Sequence, residues 1–198
     1  CGSGATQDVM TVIAEVLRQD LQDVAVATIW DPAAVAALKE AGLGATVSLD
    51  LGGKTDMPSL NRPGQPLPVT GIVEGLSDGR FTVEGPMYTG VEVSCGPTAL
   101  LRVQGVRLIV TSLHHEPWDL GVFRMMGIDP TRTKYLLLKS RIHYRAGFGT
   151  MAQHTLTLDG DGVTTSDNAK LEYKALRRPI YPLDPDLDWS VGDEKDAS

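Results

Sequence analysis

The run Val24-Ala25-Val26-Ala27-Thr28-Ile29-Trp30 is apolar at almost every position and stops at Asp31-Pro32. A strand with one wet face alternates polar and apolar residues, so a short continuous apolar run fits a strand buried on both faces, inside a sheet covered on each side. Asp31 can cap a following helix, and Pro32 suits its first turn, where no N–H is needed. A second such run, Tyr135-Leu136-Leu137-Leu138, lies late in the chain. Together the two runs point to an α/β architecture.

The rest of the chain is read around them. Val9, Val12, Ile13, Val16 and Leu17 recur at helical spacing, with Thr6 or Asp8 able to satisfy the first free N–H groups. A second helix follows Asp31-Pro32 and ends near Gly42, and Val47, Leu49 and Leu51 then alternate with Ser48 and Asp50 as a half-buried strand running into Gly52-Gly53-Lys54. Pro58, Pro63, Pro66 and Pro68 make 57–68 a surface loop. Turn pairs at Asp78-Gly79, Gly85-Pro86, Gly96-Pro97 and Gln104-Gly105 predict an antiparallel meander of three to five strands. Pro117 is expected to open a helix with Leu120, Phe123 and Met126 inward, closed by Gly127; 140–151 reads as another helix and His154 to Leu158 as a last alternating strand. The expected whole is a short, mostly parallel sheet with flanking helices and an inserted antiparallel meander. It forms one domain over 1–189, and an acidic tail at 190–198, with Asp193, Glu194 and Asp196, should be disordered.

Bulk properties exclude several classes. With 198 residues, 42% of them hydrophobic, a single core is expected. A net charge of -7 without a basic stripe argues against nucleic acid. No apolar run is long enough to cross a bilayer, no secretory leader pattern opens the sequence, and Cys1 and Cys95 are too few for a disulfide framework, so a cytoplasmic location is expected. The opening Cys1-Gly2-Ser3-Gly4 reads as an interior glycine loop, as if the chain began partway through a longer polypeptide.

Chemistry concentrates in Lys139-Ser140-Arg141-Ile142-His143-Tyr144-Arg145, directly after the second buried run. Where a strand gives way to a helix at the carboxyl edge of a sheet, free N–H groups favour an anion, and lysine, serine, histidine and arginine would reinforce that preference. Residues two apart do not share a helix face, so Arg145 should point away from His143. The alternative is a capping Ser140, a structural His143 and solvated cations. The Gly2-Ser3-Gly4-Ala5-Thr6 loop resembles an anion cradle but lacks a phosphate-loop or dinucleotide pattern, so a flexible cut end with an ordinary cap explains it better. His114-His115-Glu116 lacks metal-ligand spacing and is read as a solvated loop; Lys54 could approach a ligand or simply leave a glycine-hinged strand. Cys95 sits between Ser94 and Gly96-Pro97 as a turn residue, and no nucleophile elbow is present.

Several stretches jointly resemble the C-terminal domain of the MlrC-like family, microcystin-degradation proteins classed as zinc metallopeptidases. They include Gly2-Ser3-Gly4-Ala5 leading to Asp8, Ile29-Trp30-Asp31-Pro32, Leu51-Gly52-Gly53-Lys54, Ser77-Asp78-Gly79-Arg80-Phe81, Gly85-Pro86-Met87-Tyr88, Gly127-Ile128-Asp129-Pro130, Lys139-Ser140 to His143-Tyr144-Arg145-Ala146, and Arg177-Arg178-Pro179-Ile180-Tyr181-Pro182. The resemblance implies a two-domain hydrolase whose zinc ligands lie in an N-terminal domain that these residues do not include. It also implies that Ser3, Gly4 and Asp8, with Lys139, Ser140, His143 and Arg145, face that domain and contact a peptide or small amide substrate. Catalytic and metal-ligating residues are expected outside this chain, and a homo-oligomer is compatible with the reading. The alternatives are a non-catalytic module binding a small carboxylate or phosphate, and a structural lid or dimerisation domain.

Overall fold

The computed structural model of the chain describes residues 5–187 apart from 159, 161 and 166. In chain order these residues form α1 (Thr11–Arg18), β1 (Val24–Trp30), α2 (Pro32–Ala41), β2 (Thr46–Leu51), β3 (Leu67–Ser77), β4 (Arg80–Thr82), β5 (Glu92–Ser94), β6 (Thr98–Val103), β7 (Val106–Thr111), α3 (Gly121–Arg124), β8 (Tyr135–Leu138) and α4 (Tyr144–Phe148). Short 3₁₀ turns occupy Pro58–Leu60 and Asn168–Lys170. The tail at 190–198 lies outside the described residues.

Six strands share one sheet in the order β2-β3-β6-β7-β1-β8. β1 pairs in parallel with both β7 and β8, while β2, β3, β6 and β7 pair antiparallel in succession. The α/β class holds. The meander is present as β3, β6 and β7 joined to the parallel strands, and the chain between β3 and β6 folds into β4 and β5, a separate two-stranded sheet.

The apolar run of β1 is explained by covering on both sides. Val24 and Val26 face a cluster with Leu108 and Val110 of β7, Ile13 of α1 and Val35 and Leu38 of α2. Ala25 and Ala27 face the other, with Ile109, Val122 and Phe123 of α3 and Phe148 of α4. The two phenylalanine rings meet edge to face, centroids 5.9 Å apart, an arrangement favoured by the ring quadrupoles. Between Val26 and Ile29 the register of β1 shifts, so Ile29 returns to the α1/α2 face and the fully buried Thr28 is re-aimed towards the carboxyl end of β7.

Three expectations for the second half are corrected. The helix expected from Pro117 is only α3, because the Asp119 carboxylate turns the chain first: Gly121 N–H donates to Oδ1 at 2.7 Å and Gly85 N–H to Oδ2 at 2.7 Å. Gly121 is required there, since a Cβ would lie 2.2 Å from the Phe81 ring. The helix expected over 140–151 is only α4, with His143 rather than Ser140 at the N-cap position. Residues 154–158 form no strand among the described residues: Leu156 and Leu158 are exposed and the segment pairs with no other. Pro68 lies inside β3, but at its overhang, opposite Asp50 and beyond the last residue paired with β6, where no second ladder N–H is needed.

Candidate functional site

The parallel strands β7, β1 and β8 all deliver their following residues to one edge of the sheet. Three exits therefore meet there: Ser112 to Glu116 after β7, Asp31 after β1, and Lys139 to His143 after β8. The carboxyl edge is where open α/β sheets place ligands. The amino-terminal segment before α1 crosses the same edge, since Trp30 N–H donates to the Gln7 carbonyl at 3.3 Å and the Lys139 ammonium donates to the Val9 carbonyl. Gln7 to Val9, which follow the glycine loop, are thus brought beside Lys139, while Gly2 to Gly4 of the loop itself lie outside the described residues.

Lys139 continues the ladder, its N–H reaching the Ala27 carbonyl at 2.9 Å, and its side chain then turns to Val9. Removal from water pushes the ammonium down to about 8, and the negative charge of Asp8 pulls partly the other way. Asp8 is buried and does not cap α1, whose N-cap is Met10; its Oδ2 accepts the Thr55 N–H at 2.9 Å instead. Asp31 is equally committed. Its carboxylate caps α2 through Ala34 N–H at 3.0 Å, accepts Gly52 N–H at 2.9 Å, and pairs with the Lys54 ammonium at 2.8 Å. Gly52 and Gly53 both have positive φ, and a Cβ on Gly52 would lie 2.7 Å from the Asp8 carbonyl, so the loop can close over Asp8 only with glycine.

Glu116 links the β7 and β8 exits. Ser140 Oγ–H donates to Glu116 Oε1 at 2.7 Å, and His143 Nδ1 lies 3.0 Å from Oε2. The Ser140 hydroxyl also accepts the Tyr144 N–H at 3.0 Å, so it is fully used within the domain and satisfies the first amide of α4. A five-residue helix with that amide already bonded offers no dipole-driven anion site, so the strand-to-helix argument for this edge gives way to side-chain chemistry. The Glu116 side chain is 7% exposed and that of His143 46%. Arg145 is exposed, its guanidinium 5.4 Å from the Tyr144 ring centre, and does not join the others, in line with the two-residue spacing. Ser3 and Gly4 lie outside the described residues.

The solvated-loop reading of His114-His115-Glu116 is overturned. His115 and Glu116 are buried, and only His114 is exposed, stacked on Trp30 at 4.2 Å. The Gln7 side chain brackets this segment: its Oε1 accepts His115 N–H at 2.9 Å, and its Nε2 donates to the His115 carbonyl and to Thr28 Oγ1 at 3.2 Å. Thr28 Oγ1 itself donates to the His115 carbonyl at 2.6 Å. Burial pushes the His115 imidazole down to about 4, despite the nearby Glu116 and Asp119 charges, so it is neutral at pH 7. Cys95 is buried, and desolvation raises its thiol to about 12, which fits a turn residue and not a nucleophile. Gln7, Asp31, His115 and Glu116 escaped the sequence reading as site residues; the only available signal was that 112–116 is a third exit at the carboxyl edge.

Among the described residues no three His, Cys, Asp or Glu side chains are grouped to hold a metal ion, and no helix is long and apolar enough to cross a membrane. Residues 1–175 match the family described as MlrC C-terminus. The chain is 31% identical over 185 residues to Microcystinase C of Sphingomonas sp, covering 93% of this chain and 34% of that protein. It also superposes on the crystal structure of a "putative metallopeptidase" from Mesorhizobium sp. BNC1 with a TM-score of 0.77 and 29% identity, covering 93% of this chain and 36% of that one. The chain thus spans about a third of the length of each of these relatives.

Proposed function

Because the chain belongs to the MlrC C-terminus family, we propose that it completes the active site of a metallopeptidase whose remaining residues lie elsewhere in the same polypeptide, and that the reaction is hydrolysis of a peptide amide in the cytoplasm. The observation that carries this reading is the convergence of Val9, Glu116, Lys139, Ser140 and His143 at the carboxyl edge. The relatives' names and the third of their length that the chain covers support the class of reaction and the second domain. The described residues do not fit a zinc site, so the zinc implied by the family is assigned to the rest of the polypeptide and no step is drawn through it.

In this reading the edge faces the metal-bearing domain. Lys139 uses one ammonium N–H on Val9 and has others with which to orient a substrate carbonyl or carboxylate. His143 projects from the same loop, Ser140 fixes that loop, and Arg145 acts from the exposed rim. Asp8, and Ser3 and Gly4 before it, are assigned to the substrate side of the amino-terminal segment. Alanine at Lys139 or His143 in the full-length polypeptide should lower kcat/KM for a peptide substrate by about 100-fold, the usual scale for a positioned polar group. Unchanged kinetics in both variants would refute the assignment. A free-standing anion module is disfavoured by the pairing of Lys54 with Asp31, which leaves little uncompensated positive charge; calorimetry with phosphate or acetate should give no measurable heat of binding.

A further inference from the structure

We propose that Glu116 and His143 form a proton-carrying dyad, with His143 as a catalytic residue and Glu116 as the residue that positions it; this rests on the peptidase reading above. A carboxylate accepts hydrogen bonds only, so Glu116 Oε2, 3.0 Å away, holds the proton on Nδ1 and leaves the lone pair on Nε2. No described residue bonds to Nε2, and the imidazole is about half exposed while its carboxylate is buried. That asymmetry separates the pair from a surface salt bridge. The fixed partner lies inside, oriented in turn by the Ser140 hydroxyl at 2.7 Å, and the reactive nitrogen faces outwards.

A structural lock between the β7 and β8 exits needs Glu116 and Ser140 but not an imidazole. Ser140 already bonds both Glu116 and the Tyr144 N–H, so the two exits are tied without His143. What the histidine adds is a tautomer-fixed base on the outer side of the lock.

In amide hydrolysis, water attacks the carbonyl carbon and gives a proton to Nε2. Nε2 returns that proton to the nitrogen as the C–N bond breaks. One water is consumed, one carboxylic acid and one amine are formed, and the dyad ends in its starting state.

Three measurements test this. In the full-length polypeptide, His143→Ala should lower kcat by at least about 100-fold with KM within about threefold, and added imidazole should restore about tenfold of the loss after correction for its effect on the unsubstituted enzyme. Glu116→Gln should lower kcat by about 10–100-fold, as loss of an orienting carboxylate does. Nitrogen-15 NMR of this chain should show His143 as the Nδ1–H tautomer, becoming a mixture in Glu116→Gln. An active enzyme whose kcat survives His143→Ala, or a tautomer mixture in the unsubstituted chain, overturns the dyad alone. An unsubstituted polypeptide with no amide hydrolase activity overturns the reading beneath it.

Discussion

Lys139→Met should make the domain more stable at pH 7 while impairing the activity proposed for it. The folded protein lowers the ammonium from its usual 10.5 to about 8, chiefly by removing it from water. At about 1.4 kcal/mol per unit, a charged Lys139 at pH 7 carries a penalty of about 3 kcal/mol, roughly halved by solvent reaching its partly exposed side chain. Against this stands the hydrogen bond to the Val9 carbonyl, worth about 1 kcal/mol. The difference favours the variant by about 0.5 kcal/mol, or about 1–2 °C in Tm for a chain of this size. The sign with pH is fixed as well. Between about 8 and 10.5 the unfolded chain holds the proton and the folded one does not, so the unsubstituted protein gains stability as pH rises through that window. The advantage of the variant should therefore be full at pH 7 and gone by pH 10. Urea denaturation of both proteins at the two pH values measures it. A variant destabilised at pH 7, or a difference that does not change between pH 7 and 10, would refute the claim that this lysine is held against its own solvation.

His115 gives the opposite limb. Its folded value of about 4 lies below the ordinary 6.5, so the unfolded chain takes up the proton first and stability present above pH 6.5 is lost towards pH 4, by about 3 kcal/mol. His115→Phe should flatten that part of the urea-denaturation profile. Gln7→Ala removes the side chain that brackets the His115 segment and bonds Thr28, and should cost about 3 kcal/mol of unfolding free energy, at about 1 kcal/mol for each bond. Cys95, buried with its thiol near 12, should resist a thiol reagent at pH 8 in the native protein and react fully in urea.

What could be read from the sequence was what local physics decides. The two-sided burial of Val24 to Trp30, the Asp31 cap and the Pro32 first turn all follow from neighbouring residues, and each is found. The union of the amino-terminal segment with Lys139 was expected only through the family resemblance. The bonds of Glu116 to residues 24 and 27 positions away had no local signature. A buried acid looks like a solvated one until its partners are in place, and in the sequence Glu116 therefore reads as part of a solvated loop. The same cause shortened two helices. Asp119 and Ser140 spend their side chains on long-range turns and locks, against helix periodicity read from their neighbours. Alternation at His154 to Leu158 is a sound strand signal, but a strand also needs a partner edge, and none of the described residues supplies one there.

The residues after the second buried run favour an anion when read from the sequence, but their pairing in the fold argues for a different way of working. Lys54 is matched by Asp31 and Lys139 lies in the field of Asp8, so little net positive charge is left to draw an anion from a distance. What the proposed site would offer a substrate is geometry: the ammonium N–H groups of Lys139 not used on Val9 and the Nε2 of His143. Steering by unpaired surface charge is screened beyond about 10 Å at 0.1 M salt, whereas short bonds in a partly buried site are screened far less. Raising salt from 0.05 to 0.5 M should therefore change kcat/KM of the full-length polypeptide by less than about threefold, where a charge-steered encounter would lose about tenfold or more. A steep salt dependence that disappears in Lys139→Met would show that the edge works by net charge after all, and that the pairing with Asp8 opens when substrate arrives.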